Sequence, residues 1–160
     1  MLNRDMNRDE IDYYKTLLNE LRFQEMEELF EKLTFSEIEN ILYQLAYNPN
    51  TDESNLLVYT LYQRLLCKQE TPSLHMSISR LMGSILNHTS EQAELIGLYH
   101  GLRAVELDPN NIEIMEYLLY FNHIPEKLLP DSVAIEFAKK ITLKKPESSV
   151  AVLTLSKLKF

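Results

Sequence analysis

Cysteine, glycine, tryptophan and long apolar runs are scarce in this chain of 160 residues. A single cysteine, Cys67, excludes an internal disulfide, which is typical of a reducing compartment. Three glycines cannot form a glycine-rich phosphate loop or a flexible linker. No apolar run approaches the ~18 residues that a membrane-spanning helix needs, and no apolar signal core follows Met1. We therefore expect a cytoplasmic protein that contacts no membrane.

Basic side chains are scarce in the first part of the chain. The net charge is −8, and residues 1–50 carry 5 basic and 11 acidic side chains, whereas residues 101–160 carry 8 of each. Because nucleic-acid phosphates need Lys and Arg, we expect no nucleic-acid partner. The acidic half, with Glu25, Glu28 and Glu31 as candidate contacts, would attract a basic partner. The alternative is that these three glutamates form, together with Glu27, the solvated face of a helix.

Apolar residues recur at helical spacing along the whole chain, and no segment alternates with period two. Thr34 with Glu37 predicts a capping box, and Thr71-Pro72 predicts a second helix start. The segment Thr51–Ser54 predicts another start after the break at Asn48-Pro49-Asn50. These helix-start and helix-end signals predict a single all-α domain over residues 1–160. We expect about nine helices, with short connections that place neighbouring helices antiparallel.

The helix that Thr89-Ser90-Glu91 is predicted to open has small residues at Gly97, Gly101 and Ala104, which allow another helix to approach closely. It ends at Pro109, and a similar ending recurs 37 residues later at Pro146. Recurrence at such an interval is typical of stacked helix pairs. The stripe Leu74, Ile78, Leu81 and Ile85 predicts a core-facing helix in the preceding unit.

The second helices of two units resemble those of the tetratricopeptide-repeat superfamily. That family has a small residue twelve before its terminal proline and an alanine five before it, and Gly97 and Ala104 take these places before Pro109. Ala134 takes the first place before Pro146. The resemblance covers residues 72–160 and implies an α-α superhelix of antiparallel helix pairs with a groove for peptides or other proteins. A closed helical bundle is the competing architecture.

Side chains that could carry chemistry show no catalytic or ligand pattern. His75, His88, His100 and His123 lack metal-ligand spacing, and Cys67 has no recognisable base partner. We therefore expect no enzyme, no metal and no cofactor.

Tyrosine is abundant, with nine residues and no tryptophan. Tyrosine suits interfaces because it combines contact area with a hydroxyl. Several tyrosines pair at i, i+3 or i, i+4, and three arginines on separate predicted helices could hold carboxylates. The candidate contacts are Tyr43, Tyr47, Tyr59, Tyr62, Tyr99, Arg64, Arg80 and Arg103, with Tyr117 and Tyr120 as a further pair. The alternatives are half-buried boundary tyrosines and solvated arginines.

The sequence thus favours a non-catalytic protein–protein interaction module that presents a helical groove or an acidic face to a protein or peptide. An acidic immunity or antitoxin-type protein that covers a basic toxin is the alternative. Partner identity and oligomeric state stay open.

Overall fold

The computed structural model describes residues 8–158, and over these residues the chain is all-α, as predicted, with 73% helix. The two short segments α7 and α8 are separated by Leu119 alone, so the described part of the chain holds nine helices if they are counted as one. The helices are α1 Arg8–Asn19, α2 Phe23–Phe30, α3 Phe35–Ala46, α4 Leu57–Lys68, α5 Pro72–Arg80, α6 Ala93–Leu107, α7 Ile112–Leu118, α8 Tyr120–His123, α9 Asp131–Lys144 and α10 Ser149–Lys157.

Two predicted helix starts are confirmed in atomic detail. The Thr34 hydroxyl accepts a hydrogen bond from the Glu37 backbone N–H, and the Glu37 carboxylate accepts one from the Thr34 N–H at 2.8 Å. At α5 the Thr71 hydroxyl accepts from the Leu74 N–H at 3.2 Å, and Pro72 occupies the first helical position. Each cap satisfies backbone donors that have no partner within the helix.

The predicted helix start at Thr51–Ser54 is wrong. The chain there forms a short antiparallel hairpin in which β1, Tyr47–Asn48, pairs with β2, Glu53–Ser54. The Asn48 side chain accepts from the Asn50 N–H at 3.0 Å, which fixes a local turn that competes with helix formation. Helix α4 begins only at Leu57, whose N–H donates to the Asn55 side chain at 3.0 Å.

Helix α5 lies between two apolar clusters. The first joins buried side chains of α1 to α5, of residues 81–86 and of Ala93 in α6, and the second joins buried side chains that lie mainly on α6 to α10. Ile78 of α5 belongs to the first cluster and Met76 to the second. Consecutive elements also pack in order, with α5 on α6, α6 on α7, α7 on α9 and α9 on α10. Sequential packing of this kind is what stacked helix pairs require, but the superhelical arrangement itself stays a prediction.

Helix α5 does not continue as a regular helix through its predicted stripe. It passes into a π-helical turn, Leu81–Ile85, in which the Leu86 N–H donates to the Leu81 carbonyl at 2.8 Å. In a π turn the backbone hydrogen bond spans five residues, whereas in an α-helix it spans four. Leu81 is fully buried as expected, but Leu86 takes the next buried position and Ile85 is only partly buried.

The small residues of α6 lie where it approaches α5 closely, as predicted. A Cβ atom added at Gly97 would lie 3.0 Å from the Ser79 carbonyl oxygen and 3.0 Å from the Gly83 backbone nitrogen. At Gly101 an added Cβ would clash with Leu118 Cδ2 and lie 2.9 Å from the Ser79 hydroxyl. The Ser79 hydroxyl also donates to the Gly97 carbonyl at 2.6 Å, which joins the two helices at this point.

We expect Gly97→Ala to destabilise the protein by about 1–3 kcal/mol, although alanine is the better helix former. The added methyl group meets backbone atoms of α5 and the π turn, which cannot rotate away. Gly101→Ala is the matched comparison and should be milder, because its first obstacle is the flexible end of Leu118. Urea unfolding measures both, and a Gly97→Ala protein as stable as the wild type would contradict the close approach.

Candidate binding groove

The described surface contains a groove of about 830 Å³ between the π turn, the α7–α8 segment and α10. Its apolar surface comes mainly from two tyrosines of the α7–α8 segment and two aliphatic residues of α10. The lining residues are Gly83, Ser84, Asn87, Glu116, Tyr117, Tyr120, His123, Ser149, Val150 and Leu153. The volume lies in the range of ligand-binding pockets in proteins.

The aromatic side of the groove is held by Phe121, which is fully buried. Tyr117 and Tyr120 both pack edge-to-face against its ring, with ring centroids 5.8 and 5.3 Å away. An added Cβ at Gly83 would lie 3.1 Å from Phe121 Cζ and 3.2 Å from the Tyr117 hydroxyl. Gly83 therefore lets the π turn approach these rings, and the groove wall is built from packed, ordered side chains.

Polar side chains at the groove rim already have partners. Glu116 accepts hydrogen bonds from the Ser148 hydroxyl and, at 3.0 Å, from Lys145 Nζ, and these bonds keep the pKa of its carboxyl below the usual range. His123 Nε2 lies 2.9 Å from the Thr154 hydroxyl, which itself donates to a carbonyl, so His123 is the donor. Burial lowers the pKa of His123 and favours its neutral form.

Arg80, another predicted contact residue, lies beside the groove-lining Tyr117. Its guanidinium carbon lies 6.0 Å from the centre of the Tyr117 ring, a cation–π distance, and Nη1 is 3.9 Å from Glu39. The Tyr117–Tyr120 pair was visible at i, i+3 spacing in the sequence. Gly83, Val150 and Leu153 were not identified, because they come from separate elements that only the fold brings together.

Two other predicted contact residues, Tyr59 and Tyr99, meet at His100, and Arg103 binds Glu70. The rings of Tyr59 and Tyr99 stand edge-on to His100 with centroids 5.9 and 5.1 Å away. Tyr99 is 63% exposed. Arg103 binds the Glu70 carboxylate through Nε at 2.8 Å and Nη2 at 3.0 Å. Arg103 is therefore engaged within the chain and offers no free fork for a partner's carboxylate.

Of the remaining predicted tyrosines, Tyr62 is wrong as a surface contact. It is fully buried, its hydroxyl bonds to Ser77, and burial raises its pKa. Tyr43 is half-buried and donates to the Ser77 carbonyl at 3.2 Å, and burial raises its pKa to about 12. Tyr47 lies in the hairpin, where its hydroxyl donates to Asp52 at 2.9 Å. Tyr62 does lie on a helix, as its spacing predicted, but spacing alone does not indicate which face of the helix is buried.

The acidic helix α2 is less uniformly solvated than its sequence indicates. Glu28 and Glu31 are exposed, whereas Glu25 is held by Arg22 through two hydrogen bonds of 2.6 Å. Glu27, expected on the solvated face, is only 3% exposed and pairs with Arg64 Nε and, at 2.8 Å, with Lys68 Nζ of α4. Burial raises the pKa of Glu27, but the hydrogen bonds from Arg64 and Lys68 outweigh it and the net pKa is lowered.

We expect Glu27→Gln to destabilise the protein by about 1–3 kcal/mol at neutral pH, because two cations lose their buried partner. The lowered pKa means that the stabilisation is present above the unfolded-state pKa of about 4.3 and is lost as the pH falls through the folded value. Glu28→Gln, one residue away and exposed, is the control and should change stability by less than about 0.5 kcal/mol. Equal urea midpoints for the two variants at pH 7 would show that Glu27 is solvated.

Comparisons with known proteins add no family to this description. No family model matches the chain, and no curated protein or solved structure matches it significantly. Within residues 8–158, no three His, Cys, Asp or Glu side chains are arranged to hold a metal ion. In the same part of the chain, no helix is long and apolar enough to cross a membrane.

Proposed function

We propose that the protein is a non-catalytic interaction module that binds a polypeptide segment of a partner in the groove beside Tyr117 and Tyr120. The observation that carries the proposal is an open groove with an ordered aromatic wall, facing exposed Leu153 on α10. Grooves that accept peptides combine such anchoring surface with few polar contacts. We also infer a cytoplasmic location from the exposed free thiol of Cys67.

The occupant that suits this groove is an extended or helical segment with bulky apolar side chains. The groove's Glu116 carboxylate is already bound by Lys145 and Ser148, so a charged ligand would have to break these bonds. Apolar side chains, in contrast, would remove Tyr120 and Leu153 from water, and such burial is favourable at roughly 25 cal/mol per Å². These contacts favour a protein partner over nucleic acid or a membrane.

Leu153→Asp tests the groove because it places a carboxylate in the apolar wall. Peptides selected from a random phage-displayed library on the full chain should carry aromatic or aliphatic residues, and Leu153→Asp should weaken their binding at least about tenfold. Val152→Asp is the matched control, since Val152 is a neighbouring exposed residue of α10 that does not line the groove.

The proposal is wrong if the selected peptides bind wild type and Leu153→Asp equally, or if Val152→Asp weakens them as strongly. Failure to enrich any peptide that binds the wild-type chain would also count against it. Circular dichroism of both variants checks that the fold is retained before affinities are compared.

The acidic face of α2 is the second candidate, in which the protein acts as an immunity or antitoxin-type inhibitor of a basic enzyme. Glu28 and Glu31 are exposed and support it, whereas the internal pairing of Glu25 and Glu27 reduces the field that the sequence indicates. The structure therefore favours the groove over the acidic face.

Charge reversal at Glu28 and Glu31 tests this alternative. The double variant with lysine at both positions should slow association with a basic partner isolated by native pull-down, most strongly at low salt, because exposed charges are screened within about 8 Å at physiological salt. Glu91→Lys with Glu126→Lys gives the same net change at exposed positions outside α2. Equal on-rates for the two double variants across a salt series would exclude the acidic face.

A further inference from the structure

Two buried histidines face each other across the α5–α6 interface. His75 of α5 and His100 of α6 are 3% and 2% exposed, and their Nδ1 atoms are 2.8 Å apart. Two imidazole nitrogens at this distance form a hydrogen bond only if one carries a hydrogen and the other does not. The contact therefore depends on the protonation state of the pair.

The surrounding groups fix the direction of this bond. His75 Nε2 lies 3.0 Å from the Glu70 carboxylate, and hydrogen bonds from Arg103 and His75 lower the pKa of Glu70 to about 2. A carboxylate only accepts, so His75 carries its hydrogen on Nε2 and, when neutral, has a bare Nδ1. His100 must then donate from Nδ1.

The other nitrogen of His100 completes the same chain of bonds. With the hydrogen on Nδ1, Nε2 is a bare acceptor, and the Tyr59 hydroxyl and Gln63 amide lie 3.3 and 3.4 Å away as donors. A continuous chain of hydrogen bonds thus runs from α4 through His100 and His75 to Glu70. Arg103 in turn donates two hydrogen bonds to Glu70.

We propose that the His75–His100 contact is a proton-operated latch between α5 and α6, closed while the two facing nitrogens share one hydrogen and opened when both rings are imidazolium. A single added proton keeps the contact, because one Nδ1 still lacks a hydrogen. A second proton places hydrogens on both facing nitrogens and two positive charges at 2.8 Å, with no acceptor between them.

The charged and titratable groups around the pair set when the latch opens. The Glu70 carboxylate faces His75 and stabilises one positive charge on the histidine pair. The Arg103 guanidinium of α6 disfavours a second positive charge on the pair. Tyr59 and Tyr99 also face His100, and burial raises the pKa of Tyr59. Burial and the charge of His75 lower the pKa of His100 from 6.5 to about 4.

The sign of the pH dependence follows from this lowered pKa. Between pH 6.5 and about 4 the open state binds more protons than the closed state, so the closed latch is favoured near neutral pH and loses its advantage as the pH falls. The Ser79–Gly97 hydrogen bond joins the same two helices about one turn away from the histidines. No titratable group takes part in this bond. Opening should therefore begin at the histidine end of the interface.

Imidazole nitrogen NMR of the wild-type protein tests the latch without a substitution. At pH 7.5 we expect the Nε2–H tautomer for His75 and the less common Nδ1–H tautomer for His100, with His100 titrating far below 6.5. Amide exchange of α5, corrected for intrinsic rates, should accelerate on the order of 100-fold between pH 7 and pH 4.

His100→Gln supplies the variant test, since glutamine has no charge to gain. It should abolish the acid-dependent part of α5 exchange, whereas His88→Gln should retain it. The latch is refuted by Nε2–H tautomers on both histidines, by a His100 pKa near 6.5, by α5 exchange that is unchanged down to pH 4, or by unchanged acid sensitivity in His100→Gln. If His100→Gln does not fold, the wild-type tautomers and exchange data still decide.

Discussion

The close approach of α5 and α6 is the constraint on which the rest of this structure depends. Gly97 and Gly101 remove two side chains from the interface, and Ser79 fills the space with a hydroxyl that bonds to the facing backbone. Because the two helices are so close, α5 can contribute to the apolar clusters on both sides of it. The same closeness brings His75 within hydrogen-bond distance of His100. The groove wall follows directly, since the π turn that extends α5 is pressed against Phe121.

The polar side chains that are buried in this fold form hydrogen bonds with specific partners. In the described part of the chain, no buried side-chain nitrogen or oxygen lacks a hydrogen-bond partner. Glu27 is one example. Its two partner cations, Arg64 and Lys68, lie on α4, and their aliphatic parts can cover apolar surface while the charged ends reach water. Such pairs connect α2 and α4 at defined positions, which purely apolar contacts would fix less strictly.

Local patterns in the sequence predicted local structure well. The capping box at Thr34 and the start at Thr71-Pro72 depend on neighbours within one turn, and both are confirmed. The small residues of α6 also lie at a close approach of helices, as their spacing predicted. The hairpin was missed because its turn residues also resemble a helix start. Tyr62 and Glu27 were misplaced for a different reason, since helical periodicity gives the faces of a helix but not which neighbour covers them. The groove and the histidine pair were beyond prediction, because their residues lie on separate elements and meet only through long-range packing.

The π turn at Leu81–Ile85 has the geometry of a single residue inserted into an α-helix. An inserted residue rotates everything that follows by about 100° around the helix axis, since an α-helix has 3.6 residues per turn. The burial of Leu86 in place of Ile85 records that rotation. The direction in which the chain leaves α5, and thus the side of the interface from which α6 begins, is set by this one residue. Removing one residue from Leu81–Ile85 would therefore rotate the following chain back by about 100°, a discrete change rather than a gradual one.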